Sequence, residues 1–121
     1  MNGVVIYAFT REQAIEDGVL VDLTEFAEDW FRVPVAVTSA VWTRCIEGPP
    51  AVSGQSQTGR VRDILWVLRA HMVLNQDHSD VAFSLLVQKD TEKEAMVTLV
   101  VVIGPGDDGL PVITVMFPEE S

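Results

Sequence analysis

The feature that most constrains this sequence is the segment from Met96 to Ile103, in which only Thr98 is polar. It is far shorter than the ~20 residues that cross a membrane as a helix, and it predicts a buried β-strand. Because the side chains of a strand alternate between two faces, a strand of this kind needs cover on both faces of its sheet. We therefore expect helices, or a second copy of the chain, on the two sides.

Two further strands are predicted beside it. Residues 83–88 have a period of two, in which every second side chain, from Phe83 to Val87, is apolar and points to one face, and residues 112–117 form the last strand. The connections, a charged turn over 89–94 and a glycine-rich turn over 104–109, are short and favour an antiparallel meander with the apolar strand in its centre. The segment from Val4 to Tyr7 is a candidate for a fourth strand at an edge.

Helices are predicted before these strands. Thr10-Arg11-Glu12-Gln13 has the form of a capping box, and Gly18 ends the helix that follows. Short helices are predicted over 25–30 and 40–47, and a long one over 60–75. In the long helix one face is apolar, formed by Val61, Ile64, Leu65, Leu68 and Met72.

The predicted fold class is therefore α+β. Three or four N-terminal and central helices pack on a C-terminal three-stranded antiparallel meander, with the N-terminal edge strand as an option. The 121 residues are 48% hydrophobic and 21% charged, a composition typical of one globular domain, so we expect a single domain over 1–121.

Charge is distributed unevenly along the chain. There are 18 acidic and 8 basic residues, and the net charge of -10 argues against binding to nucleic-acid backbones. The acids crowd the two ends, and the middle is rich in arginine. Either the acids form a surface for a partner, or they coat a solvated surface and pair with the arginines. The candidate partner-binding residues are Glu12, Glu16, Asp17, Asp22, Glu25, Glu28, Asp29, Asp107 and Asp108.

Candidates for catalysis are few. Cys45 with His71 or His78 offers a thiol dyad, but the residues lie on different predicted elements, and Cys45 is expected to pack as a small apolar residue. The run from Asp77 to Asp80 lacks the ligand spacing of a zinc site. We expect no catalytic residue, no metal and no cofactor.

The run from Gly104 to Gly109 suggests a phosphate or calcium loop. A phosphate loop needs a lysine and a following helix, whereas a strand is predicted here, and a calcium loop needs more oxygen ligands. The run therefore predicts a sharp turn, in which Asp107 and Asp108 offer an exposed negative contact point.

Trp66 lies between Arg62 and Arg69 at helical spacing. Tryptophan and arginine are enriched at binding hot spots, and they also stack within a protein. We expect Trp66 to belong to the core or to stack internally, with a partner-binding stripe as the alternative.

No basic and apolar leader opens the sequence, and it contains one cysteine. Both observations favour the cytoplasm, and no membrane contact is expected.

Several blocks, in order along nearly the whole chain, resemble a family of small uncharacterised bacterial proteins. The blocks are Ile6-Tyr7, Thr10-Arg11, Gln13-Ala14-Ile15, the run from Asp17 to Asp22, Val41-Trp42, the run from Asp63 to Trp66 and the run from Gly104 to Gly109. The resemblance implies a domain of unknown function found on phages, plasmids and bacterial chromosomes, and it assigns no site residue.

These observations favour a non-enzymatic, acidic module that binds another protein. The mobile-element setting adds a specific form of this function: an inhibitor, anti-CRISPR-like or anti-restriction-like, that occupies a basic nucleic-acid-binding surface of a host defence complex. The first alternative is a homodimeric accessory or regulatory protein, whose apolar sheet face is covered by its own copy. The second is a small ligand-binding protein or enzyme that uses Tyr7, His71 or the Gly104 turn.

Overall fold

The computed structural model of the chain describes residues 10–47, 57–74, 80–88 and 94–120. The helices are α1 (Arg11–Glu16), α2 (Thr24–Ala27), α3 (Ser39–Val41), a π-helix (Trp42–Glu47) that continues α3, α4 (Gln57–Leu74) and a 3₁₀ turn (Pro118–Glu120). The strands are β1 (Leu20–Asp22), β2 (Val35–Thr38), β3 (Asp80–Gln88), β4 (Glu94–Pro105) and β5 (Pro111–Met116).

The strands form one mixed sheet in the order β1-β2-β5-β4-β3. β2 and β5 are parallel, and the other three pairs are antiparallel. The expectation of a three-stranded antiparallel meander is therefore wrong, because the described residues form a sheet of five strands with one parallel pair, in which β5, not β4, is the central strand. The candidate edge strand from Val4 to Tyr7 lies outside the described residues.

The two additional strands, β1 and β2, are too short for the sequence to predict them as parts of the sheet. They have three and four residues, and all four of β2 are buried, so no alternation of polarity marks them. Their place is fixed by distant partners instead: Val35 pairs with Ile113, and Val37 with Val115. A parallel pair between segments so far apart leaves no local signal.

The main core lies between one face of the sheet and α4. The buried strand residues on this face are Val35, Val37, Phe83, Leu99, Val101, Ile113 and Val115. They pack with the apolar face that the helical period predicts for α4, in which Val61, Ile64, Leu65 and Leu68 are buried and Met72 is partly buried. That prediction is confirmed. Full burial of a side chain of this kind contributes about 1.5–3 kcal/mol relative to exposure.

The start of α1 agrees with its capping box. Thr10 Oγ1 accepts a hydrogen bond from the Gln13 amide (3.0 Å), and Gln13 Oε1 accepts one from the Thr10 amide (3.1 Å). Gly18 follows the helix with a φ of 79°, a conformation that only glycine adopts without strain. The predicted capping box and helix stop are confirmed.

The other helix boundaries differ from the expected ones. α2 ends at Ala27, short of the predicted residue 30, and α4 begins at Gln57. The helix expected over 40–47 is α-helical only at its start, and it widens into a π-helix at Trp42.

A buried arginine of α4 closes the π-helix. Arg60 Nη1 donates hydrogen bonds to the carbonyl oxygens of Ile46 (2.9 Å) and Glu47 (2.8 Å). The last carbonyl groups of a helix lack partners within it, so these contacts pair two of them and attach the π-helix to α4.

Candidate functional site

An open groove of about 540 Å³ lies beside α1, at the edge where β1 and the turn between β4 and β5 approach each other. Five carboxylates and one guanidinium line it together with apolar side chains. The lining residues are Arg11, Glu12, Ile15, Glu16, Asp22, Thr24, Pro34, Gly106, Asp107, Asp108 and Val112. We call this feature the acidic groove.

Arg11 lines the acidic groove and contacts the face of the sheet opposite the main core. Its guanidinium donates hydrogen bonds to Thr114 Oγ1 (2.7 Å) and to the carbonyl oxygen of Ile113 (2.8 Å). Burial lowers the pKa of Arg11, while the charges of Asp22 and Asp107 act in the opposite direction. Arg11 therefore fixes α1 to the central strand and offsets part of the negative charge of the groove.

Asp107 joins the turn between β4 and β5 to the start of α1. Its two carboxylate oxygens accept hydrogen bonds from the backbone amides of Arg11 (2.8 Å) and Glu12 (3.1 Å). These bonds lower the pKa of Asp107, because they favour the ionised carboxylate. The amides of a first helical turn are unpaired within the helix, so Asp107 completes the cap that Thr10 begins.

The other two aspartates of the groove also form hydrogen bonds with nearby backbone. Asp22 Oδ1 accepts from the Thr24 amide (3.0 Å), and Asp108 Oδ1 accepts from the Leu110 amide (3.0 Å). Gly106 is the first residue of the turn between β4 and β5, and a Cβ atom at this position would stand 2.7 Å from Val112 Cγ1. The turn is thus built so that its carboxylates keep fixed positions.

The two glutamates of the groove have no such role. Glu12 and Glu16 lie one turn apart on α1, both exposed, and neither side chain has a hydrogen bond or ion pair with the residues that the structure describes. Their charges remain available to a ligand.

The structure brings five of the nine candidate partner-binding residues together: Glu12, Glu16, Asp22, Asp107 and Asp108. The other four, Asp17, Glu25, Glu28 and Asp29, are exposed but do not line the groove. The sequence does not indicate that Arg11, Ile15, Pro34 and Val112 join them, because only the folded sheet places these residues side by side. A role of the nine residues in binding stays a prediction.

The other candidate residues lie away from the acidic groove. Cys45 is buried in the π-helix, and His71 is half-buried with its ring centroid 5.7 Å from that of Phe83. Tyr7 and His78 fall outside the described residues. Within the described ranges, no cluster of three or more His, Cys, Asp or Glu side chains is arranged to hold a metal ion. None of the helices described there has the length and apolar character needed to span a bilayer.

Trp66 lies on the surface of α4. Its side chain is 63% exposed on α4, between the exposed Arg62 and Arg69. The expectation that it belongs to the core is wrong, because the buried face of α4 is formed by other residues. No stacking contact of its ring appears among the described residues.

Comparison with known proteins identifies the chain at the level of a family. No curated protein and no solved structure matches it. Residues 2–121 match a protein family described as "Family of unknown function (DUF6573)", which leaves only Met1 outside the match. The match spans the acidic groove, the sheet and all the helices described above. The chain therefore belongs to the DUF6573 family.

Proposed function

We propose that this chain is a non-enzymatic protein-binding module whose acidic groove holds a basic segment of a partner protein. The observation that carries the proposal is the composition of the groove, in which five carboxylates and one arginine surround the apolar side chains of Ile15, Pro34 and Val112. A lysine or arginine side chain combines a long aliphatic stem with a cationic head. The cationic head matches the carboxylates of the groove, and the aliphatic stem matches its apolar side chains.

Arginine fits the carboxylates better than lysine does. Its planar guanidinium accepts two-pronged pairing with a carboxylate, whereas an ammonium acts as a point charge. Glu12 and Glu16 are the carboxylates without internal hydrogen bonds, so they contact the cation first. Asp22, Asp107 and Asp108 keep their internal hydrogen bonds and supply fixed negative charge behind them.

For the partner, we propose a protein with a basic surface that ordinarily binds nucleic acid. Such a surface carries clustered arginine and lysine residues, and a chain of net charge -10 is drawn to it electrostatically. In its most specific form the module is an inhibitor from a phage, plasmid or bacterial chromosome, acting in the cytoplasm on a defence complex of the host. The resemblance of the sequence to mobile-element proteins supports this form.

The test compares two matched pairs of charge reversals. Glu12→Lys with Glu16→Lys changes the groove, and Glu25→Lys with Glu28→Lys makes the same change of net charge outside it. The pairs also match in position, since Glu12 and Glu25 both lie in the first turn of a helix and Glu16 and Glu28 both lie at a helix end. The probe is a nona-arginine peptide, titrated by calorimetry at about 0.15 M salt, where the Debye length is about 8 Å.

We expect the wild-type chain and the outside pair to bind the peptide, and the groove pair to bind at least about tenfold more weakly, because close charge pairs are worth more than the screened long-range field. Nona-lysine is expected to bind more weakly than nona-arginine. Equal loss in both pairs would mean that only the overall charge attracts the peptide, and it would reject the groove. Absence of binding by the wild-type chain would reject the proposal altogether. Circular dichroism of each variant checks that the fold is kept.

A further inference from the structure

The exposed face of α4 carries a second surface, which shares no residue with the acidic groove. Its centre is Trp66, whose side chain is 63% exposed, and Arg62, Asp63, Arg69 and Ala70 surround it, all exposed. They lie three and four residues from Trp66 along the helix, so all five belong to one face of it. We call these five residues the Trp66 stripe.

The two arginines of the Trp66 stripe lie on the same flank of Trp66. An α-helix turns by about 100° per residue, so Arg62 and Arg69 are rotated from Trp66 by about 40° and about 60° in one direction. Asp63 and Ala70 are rotated by similar angles in the other direction. Arg62 and Arg69 are seven residues apart, which is about 10.5 Å along the helix axis. The stripe therefore has a row of positive charge on one flank and a single negative charge on the other.

The charged residues of the Trp66 stripe have no partners within the described chain. Arg62, Asp63 and Arg69 form no ion pair or side-chain hydrogen bond with the described residues. One exposed apolar side chain is ordinary on a protein surface, but tryptophan is highly buried on average. Tryptophan and arginine are also the residue types that are enriched at the energetic centres of interfaces. An exposed tryptophan beside two arginines without carboxylate partners is suited to a negatively charged ligand.

The distribution of charge favours an acidic protein segment over a nucleic acid. A phosphate backbone carries a charge at every nucleotide, so it also meets Asp63 on the second flank, and the net charge of -10 repels it at longer range. A protein segment needs only two carboxylates and leaves the second flank free. An α-helix provides them when two acidic residues are seven positions apart, because their spacing of about 10.5 Å then equals that of Arg62 and Arg69.

We propose that the Trp66 stripe binds a helix of a partner protein through two acidic residues seven positions apart and an apolar residue between them. The carboxylates pair with Arg62 and Arg69, and the two-pronged geometry of guanidinium and carboxylate fixes the register of the helix. The apolar residue packs on Trp66, whose ring supplies a large apolar contact area. One helix face buries less than the about 1,200 Å² of a standard stable interface, so the association is reversible. The acidic groove is not used.

The test uses two isomeric helical peptides built on alanine and glutamine, each with two glutamates and one leucine. Both have about 20 residues, because helices much shorter than this are marginal in water. In the matching peptide the glutamates are seven positions apart, with the leucine midway between them. In the isomeric peptide they are five positions apart, so the second glutamate lies on a different side of the helix. Fluorescence anisotropy of the labelled peptides measures binding at about 0.15 M salt, where the Debye length is about 8 Å.

We expect the wild-type chain to bind the matching peptide at least about tenfold more tightly than the isomeric one. Arg62→Glu, Arg69→Glu and Trp66→Ala are each expected to weaken binding of the matching peptide at least about tenfold. Arg32→Glu makes the same charge change at another exposed arginine, and Leu110→Ala removes an apolar side chain that is 64% exposed. Both controls are expected to bind as the wild-type chain does. Circular dichroism checks the fold of each variant.

Four results would overturn the proposal. One is a wild-type chain that does not bind the matching peptide at millimolar concentration, and another is equal weakening by Arg69→Glu and Arg32→Glu, which would mean that only the overall charge acts. The third is a single-stranded oligothymidine that binds more tightly than the matching peptide and loses its binding in Trp66→Ala, which would assign the stripe to nucleic acid. The fourth is a dimer in sedimentation equilibrium that Trp66→Ala abolishes, which would assign the stripe to a second copy. None of these results depends on the acidic groove.

Discussion

The side chain of Asp107 joins the turn between β4 and β5 to the start of α1, which is far away in sequence. The glycine-rich turn gives it a fixed place, and its carboxylate then caps the first turn of α1. Glycine and aspartate in this run predict a turn, but they do not reveal the helix end to which the carboxylate binds. The contact point expected for a partner is thus partly occupied by the protein itself.

The lowered pKa of Asp107 predicts how stability depends on pH. The folded state favours the ionised carboxylate, so its contribution is complete above the ordinary value of 3.8 and is lost as the pH falls through the lower folded pKa. We expect Asp107→Asn to be less stable than the wild-type chain at pH 7, with the difference shrinking below pH 3.8. Urea unfolding from pH 7 to pH 2.5 measures this, with Asp29→Asn as an exposed control. A difference that stays constant over this range would contradict the capping role.

At the scale of elements, the 3₁₀ turn after β5 fastens the start of α3. Glu120 Oε1 accepts hydrogen bonds from Thr38 Oγ1 (2.8 Å) and from the Phe117 amide (2.9 Å). Among the described residues, the neighbouring Glu119 makes only an exposed ion pair with Arg44, at 3.7 Å. Two adjacent glutamates therefore have different structural roles.

This difference predicts the effect of truncating each glutamate. Glu120→Ala removes an acceptor of two partly buried hydrogen bonds and is expected to lower the free energy of unfolding by about 1–2 kcal/mol. Glu119→Ala loses a solvent-screened pair and is expected to cost less than about 0.5 kcal/mol. Chemical denaturation of both variants gives the comparison. Equal losses would mean that the contacts of Glu120 contribute nothing beyond surface charge.

Elements that a local sequence pattern marks could be predicted from the sequence, and elements whose position depends on contacts with distant residues could not. The apolar face of α4 and the capping box of α1 are local patterns, and both are confirmed. β2 has four buried residues with no alternation, and the last carbonyl groups of the π-helix are paired by Arg60, which follows them by 13 and 14 residues in the sequence. For the same reason the sequence indicates the acidic residues but not the groove in which Arg11 and Val112 join five of them.

At the scale of the whole molecule, β5 holds the two halves of the sheet together. Ile113 is paired with Val35 on one side and Ile103 on the other, and its side chain is 1% exposed in the core. The β1-β2 part and the β3-β4 part of the sheet contact each other through this strand. A loss of packing at Ile113 is therefore expected to destabilise both the β1-β2 part and the β3-β4 part of the sheet.

We expect Ile113→Ala to destabilise the protein by about 2–5 kcal/mol, as for other large buried aliphatic residues. Unfolding should remain one cooperative transition, because no part of the sheet keeps its core without β5. Urea unfolding followed by circular dichroism and by tryptophan fluorescence tests this, with the half-buried Ile15→Ala as a milder control. Transitions that separate between the two probes would show that the halves are stable on their own.

The central position of β5 also has a consequence for biosynthesis. Val35 leaves the ribosome long before its partner Ile113, by about 4–16 s at about 5–20 residues per second. During that interval one edge of β2 has no neighbour, and an unpaired edge invites association with other nascent chains. The sheet is therefore completed only after β3, β4 and β5 have all been translated, and chaperones that shield exposed strands have their main opportunity before that moment.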